Sequence, residues 1–397
     1  MSAASSQTAP AVIDTSATPT LKHDHGTVPV QTRSERFKSY DPEAFPAVTG
    51  REVEWKFTPV DRIRHFFTGE LDGSRYPFEQ QIDGAAVIEW IDRDDSRIGR
   101  AGIPEEPASA NAWASFQEAL LVTVTGEAVR LHLDRNQLGD TPRAAHTVIH
   151  AEENSRGIVL LENSGPAQLD ENVEIILDPG AQLTVVTVHE WDDDALHVAS
   201  HFARLGHGAS LKHVAVSLGG SLVRVNPSVH LASEGSEIEA FGVYFADAGQ
   251  HLEHQVFINH DAPHTRSRVT YKGALQGTDA RSVWIGDVLI QQTATGTDSY
   301  EENRNLLLTD GTRSDSVPNL EIETGDIAGA GHASASGRFD DEQLFYLESR
   351  GIPEEEARRL VVRGFLSDII QKIGSPELEQ RLEDAIELEL RGEGASK

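Results

Sequence analysis

The chain has 397 residues, 38% of them apolar and 25% charged, with Lys plus Arg at 34 against Asp plus Glu at 64 for a formal net charge of −30. So acidic a surface repels phosphate backbones and anionic headgroups, which argues against nucleic-acid and membrane roles. The absence of cysteine removes disulfides, thiolate zinc sites and any all-cysteine cluster held by this chain alone. No run approaches the roughly 18 apolar residues of a membrane span, and the N-terminus shows no basic and apolar leader pattern, so the cytoplasm is the expected location.

Residues 1–35 are rich in Ser, Thr, Ala and Pro and read as a disordered tail. The His23-Asp24-His25 triplet there is better read as solvated than as a metal site. Residues 36–112 read as a mixed N-terminal α/β region, with Trp55, Phe57, Val60 and Ile63 set among charges. Ile103 to Pro107 reads as a turn or linker, and Ala112 to Leu121 as a short helix with Trp113, Phe116 and Leu120 at helical spacing.

The stretch 113–337 then changes character. Short alternating apolar runs, such as Val173 to Leu177, Leu183 to Val188 and Val283 to Val288, are separated by Gly-rich turns. Gly180-Ala181-Gln182-Leu183 recurs as Gly208-Ala209-Ser210-Leu211 and as Gly235-Ser236-Glu237-Ile238. Spacing of this kind suits a β-solenoid, in which each turn stacks on the one before; an antiparallel sandwich with similar hairpins stays open on spacing alone.

Residues 338–397 switch to helix. A first helix ends at Gly351; a second opens at Pro353 with three acids in its first turn and an apolar stripe of Ala357, Leu360, Val361, Gly364 and Phe365. A third starts at Ser375-Pro376, with Ser375 as N-cap and Leu378, Leu382, Ala385 and Ile386 on one face. These helices either cover the open end of a sheet stack or offer their stripe to another protein.

Motifs for chemistry are mostly missing. There is no Walker A loop, no nucleophile elbow and no His-Glu-x-x-His. Gly329-Ala330-Gly331 lacks the third glycine of a dinucleotide fingerprint. His251, His254, His260 and His264 are close in sequence, as a stand-alone histidine metal site would need, but strand alternation divides them between faces, so surface or partner-facing roles are expected. Asp192-Asp193-Asp194 and Asp340-Asp341 would suit a carbohydrate-active β-helix enzyme, though aspartate runs are ordinary in loops.

One set of residues is more specific. Pro263-His264-Thr265-Arg266-Ser267, Tyr271-Lys272-Gly273, Asn305 to Leu308, Ser316 to Ile322 and Gly331-His332-Ala333-Ser334 form an ordered series. Asp341 to Ile352, Glu356-Ala357-Arg358 and Gly364-Phe365 continue it, and Thr49 to Glu52 with Trp55 to Thr58 precede it. Together these resemble the SufB/SufD family of the SUF iron–sulfur assembly system over about residues 36–373. The resemblance implies a mainly β protein, a right-handed parallel β-helix flanked by the N-terminal α/β region and the C-terminal helical region. It implies no enzyme activity, but a scaffold that pairs with a SufB-like paralogue and binds a SufC-like ABC ATPase through the C-terminal helices; a homodimer is the alternative for the isolated chain. Lack of cysteine points to the SufD branch. The residue carried over is His332, at the contact with SufB, as a cluster-assembly or metal-ligating residue shared with the partner or as an interface hydrogen-bonder. No cofactor is expected to bind tightly to this chain alone; a transient Fe–S cluster would be held with SufB. Some SufD chains carry cysteine where Ala330 stands here, which excludes a thiolate contribution and weakens the case for His332.

Overall fold

The computed structural model describes residue 33 and residues 36–338 and 341–391. The N-terminal region contains α1 (His65–Thr68), β1 (Glu79–Asp83), β2 (Ala86–Asp92) and α2 (Pro107–Ser115). Strands then come in pairs: β3 (Glu118–Val124) and β4 (Val129–Arg135), β5 (Gly139–Ala151) and β6 (Arg156–Gly165), β7 (Ala167–Leu177) and β8 (Gln182–Trp191). Next are β9 (Leu196–Leu205) and β10 (Ser210–Ser217), β11 (Leu222–Leu231) and β12 (Glu237–Ala246), β13 (His251–His260) and β14 (Arg266–Leu275). The last pairs are β15 (Arg281–Ile290) and β16 (Thr297–Leu307), and β17 (Arg313–Ile322) and β18 (Ile327–Arg338). Three helices follow: α3 (Asp341–Ser349), α4 (Glu354–Ile370) and α5 (Pro376–Leu390).

Each pair is one coil of a β-solenoid, with one strand in each of two sheets of nine strands. Every later strand pairs in parallel with the strand one coil on, which excludes the antiparallel sandwich. Arg156 stands opposite Gln182, Gln182 opposite Ser210 and Ser210 opposite Glu237, so these coils are 26, 28 and 27 residues long. Farther on, Arg266 stands opposite Asp298, a coil of 32, which is why the sequence repeat drifts.

The recurring glycines mark one corner of successive coils. Gly180, Gly208, Gly235 and Gly296 all have φ between 62° and 71°, and Asn154 and His264 complete the column at 61° and 57°. Successive corners are tied by backbone bonds from Gly180 to His207, Gly208 to Glu234 and Gly235 to Pro263. A left-handed corner is where a residue without Cβ is least strained, which explains the sequence period.

Both sheets are buried on both faces along the middle of the stack, as parallel sheets covered on each side are. Inward residues such as Leu131, Val159, Val185, Leu211, Val225 and Ile258 form the main core. The N-terminal region covers the odd-numbered sheet, packing Trp55, Ile63, Phe66 and Phe67 with Val198 and Leu222, and Trp113 and Phe116 with Val148 and Phe202. A buried ionic cluster reinforces it. Arg224 donates to Glu106 at 2.7 Å and to Glu253 at 3.0 Å, and its guanidinium lies 3.9 Å from the Trp55 ring centre.

Several expectations change in register. The short helix runs from Pro107 to Ser115, not from Ala112 to Leu121: the chain turns extended at Phe116, and Leu120 and Leu121 pair with Thr147 and Val148 in the sheet. In α4 the buried stripe is Ala357, Val362, Leu366, Ile369 and Ile370, leaving Leu360 exposed. Ser375 sits at the N-cap of α5 without a side-chain bond; Glu379 reaches back to the amides of Gly374 and Ser375 instead. Helices α4 and α5 do not cover the end of the stack. They lie on the outer face of the even-numbered sheet, because Val186, Val188, Val214, Val216, Phe241 and Phe245 make that face apolar, while α3 packs against α4. Lys272 to Asp368 at 2.8 Å, and Arg381 to Glu162 and Glu190, fasten them there.

Candidate functional site

The two ends of the solenoid differ. At the first coil, β1 and β2 pair antiparallel with β4 and β3 and cover both sheet edges. At the other end β17 and β18 are the terminal strands of their sheets, and no further described strand pairs with them. Exposed sheet edges are open to pairing with another chain unless something covers them.

The interior also changes toward this end. Earlier coils fill it mainly with aliphatic side chains, among which His213 and His254 are buried, whereas β16 turns four polar residues in succession inward, Ser299, Glu301, Asn303 and Asn305, as its buried alternation shows. Asn303 donates to the Tyr244 hydroxyl at 2.9 Å and Tyr244 donates to Asn305 at 2.5 Å. Asn305 donates to Asn303 at 2.7 Å, and Ser316 donates to Asn303 at 2.6 Å. The amide network therefore links the last two coils. On β18 the positions in line with these residues are Ala330, His332, Ser334 and Ser336. The open end is thus a polar mouth rather than a hydrophobic plug.

His332, the residue singled out from sequence, stands in this mouth with its side chain 44% exposed. Directly beneath it in register is Glu301, whose side chain is 1% exposed. The His332 Nδ1 to Glu301 Oε1 separation is 3.7 Å, and neither carboxylate oxygen has a hydrogen-bond partner. Burial, aided by the negative charge of Asp287, pushes the Glu301 carboxyl up to about 8. Asp287 itself is raised by burial and accepts from Asn319 at 2.7 Å. Glu301 escaped the sequence reading; its signal was a strand, Ser299-x-Glu301-x-Asn303-x-Asn305, that puts polar residues on the inner face of a solenoid.

The other candidates fall elsewhere. Among His251, His254, His260 and His264, the first three are buried, contrary to the surface or partner-facing roles expected from the sequence. His251 donates to Glu253 at 2.8 Å beneath the N-terminal region. His254 is inside the solenoid, stacked on Tyr244 and within 3.2 Å of Ser217; burial drives its imidazole down to about 3. His260 shares hydrogen bonds with Thr265 and Ser267 and is likewise lowered to about 3 by burial. His264 is a corner residue of the positive-φ column. Each is used structurally, and no group of three or more His, Cys, Asp or Glu suited to a metal occurs among the described residues. Asp192 to Asp194 are exposed in the turn between β8 and β9, and Asp341 opens α3, while Asp340 and the His23-Asp24-His25 triplet lie outside the described residues. No described helix is long and apolar enough to cross a membrane.

A parallel β-solenoid with one closed end and one polar end whose terminal strands have no further described strand partner defines a β-helical protein. The comparisons with known proteins make this specific. The SufBD core domain of the SUF system for FeS cluster assembly matches residues 134–365. An iron-sulfur cluster assembly SufBD family protein of Mycobacterium bovis is 47% identical over 370 residues, covering 90% of this chain and 93% of that protein. A protein of the same description from Mycobacterium leprae is 46% identical over 367 residues, covering 89% and 93%. A second Mycobacterium bovis protein of that description is 31% identical over 220 residues, covering 55% of this chain and 26% of its own length. The chain belongs to the SufBD family of iron–sulfur cluster assembly proteins.

Proposed function

We propose that this chain is the SufD-type, non-catalytic scaffold of a SUF assembly complex, pairing with a SufB-like paralogue and binding a SufC-like ABC ATPase. The observation that carries the reading is the open final coil, in which two terminal strands, a polar interior and an exposed imidazole meet at one end. Such an edge suits a second solenoid stacked end to end. That one organism holds two proteins of this family description, related to this chain at different levels of identity, is consistent with a paralogous partner.

The cluster in this scheme is cargo. Because the chain has no cysteine, thiolates come from the SufB-like subunit, and His332 supplies an imidazole or an interface hydrogen bond. The C-terminal helices support the ATPase contact: α4 and α5 are fixed to the solenoid, α3 packs on α4, and Phe345, Tyr346 and Leu360 remain exposed. Large exposed apolar residues grouped on helices are frequent at protein interfaces.

Co-expression with SufB-like and SufC-like chains should give a stable ternary complex; recovery of this chain free of both partners would overturn the reading. His332→Ala should lower the cluster yield of the complex without changing its assembly, and an unchanged yield removes His332 from cluster ligation.

A further inference from the structure

We propose that Glu301 and His332 together form a half-site for a divalent transition-metal ion, with the Glu301 carboxylate as the second protein ligand. This rests on the reading of the open coil as the place where the cluster is handled.

The register shows that Glu301 is not required by the fold. Its column through the even-numbered sheet runs Leu131, Val159, Val185, His213, Ala240, Val269, Glu301 and His332. Aliphatic side chains fill most earlier levels, and a valine is the immediate neighbour one coil back. A carboxyl group here is almost fully removed from water and has no hydrogen bond on either oxygen. Buried polar groups without partners are rare and costly, so an ion that completes the set is the physical counterpart this position lacks.

The geometry suits such an ion. At 3.7 Å the Nδ1 and Oε1 atoms are too far apart for a hydrogen bond. Two ligands about 2.1 Å from one tetrahedral ion are roughly 3.4 Å apart, a few tenths of an ångström less than the observed separation. Space for the carboxylate is provided by Gly286, where a Cβ would collide with Glu301 Oε2 and the Trp284 ring. The imidazole is exposed on the mouth side and the carboxylate buried beneath it, so an ion arrives from outside and is held at the lip. No third His, Cys, Asp or Glu joins them among the described residues, which leaves the remaining positions to water or to thiolates of a partner. An imidazole nitrogen with a carboxylate oxygen favours ions of the Fe²⁺, Co²⁺ and Zn²⁺ class over Mg²⁺ or Ca²⁺.

The test is a Co²⁺ titration of the full-length chain without partners, followed by calorimetry and visible absorption. Glu301→Gln and His332→Ala should each weaken one site by about tenfold or more, and the double variant should be no weaker than the singles, because both remove the same site. Histidines elsewhere serve as the internal reference. Equal Co²⁺ binding by wild type and Glu301→Gln overturns the proposal, as does a double variant whose losses simply add. If Glu301→Gln folds poorly, Glu301→Val, which repeats the residue one coil back, carries the same comparison. The two readings fail separately: a Glu301 variant with intact Co²⁺ binding ends this inference while leaving a His332 effect on cluster yield untouched.

Discussion

Substituting Glu301 by Gln in the metal-free chain should remove a distinct part of its pH-dependent stability. Burial first, and then Asp287, holds this carboxyl at about 8 in the fold against an ordinary 4.5. The folded value is raised, so its contribution is fully present below the unfolded value near 4.5 and is lost as pH rises through about 8. Across that window the folded state binds more protons than the unfolded state, and stability falls with pH. Each tenfold change in acidity is worth about 1.4 kcal/mol, which puts an upper bound of roughly 5 kcal/mol on the loss. Water at the nearby mouth screens the charge, and a loss on the order of 2–3 kcal/mol is the expected scale. Urea unfolding at mildly acidic and at alkaline pH, with chelator present, measures it. The wild-type midpoint should fall between the two conditions, and the Gln variant should fall distinctly less. Parallel pH profiles for the two proteins would refute the premise that Glu301 is buried without a partner.

Arg224→Met should destabilise the chain by about 3–5 kcal/mol in denaturant unfolding, because it leaves Glu106 and Glu253 buried without their cation. Burial alone would raise Glu253, yet Arg224 overrides it and holds the carboxyl at about 2. That stability is present above about 4.5 and lost as pH falls toward 2, so the variant should unfold at a higher pH during acid titration. Gly235→Ala should cost about 1–2 kcal/mol from backbone strain alone, since its φ is +71° and nothing lies within 4 Å of a Cβ except the Gly208 Cα at 4.0 Å; thermal unfolding reads this loss. Leu366→Ala, at a fully buried position between α4 and the even-numbered sheet, should cost about 2–5 kcal/mol. Its signature is earlier proteolytic release of the C-terminal helices than of the solenoid.

Much of the architecture is local in origin and was therefore legible. The corner glycines, the alternating strands and the switch to helix near residue 340 each follow from short-range conformational preference. The family motifs have equally local causes in part: Glu52 accepts from the Thr49 hydroxyl and from the amides of Thr49 and Gly50, and Gly273 leaves room for the Tyr244 ring. Lys272 in the same motif gains its meaning only from Asp368, almost a hundred positions later.

By itself, then, the sequence determined the type of element, the coil period, the absence of thiolates and the family, because these depend on composition and on patterns spanning a few tens of residues. Only the tertiary structure decided that α4 and α5 lie on a sheet face, that three of the four clustered histidines are buried, and that His332 stands over an unpartnered Glu301. The physical reason is stacking. Residues about thirty positions apart become immediate neighbours when coils superpose, and no local pattern records which pairs will meet.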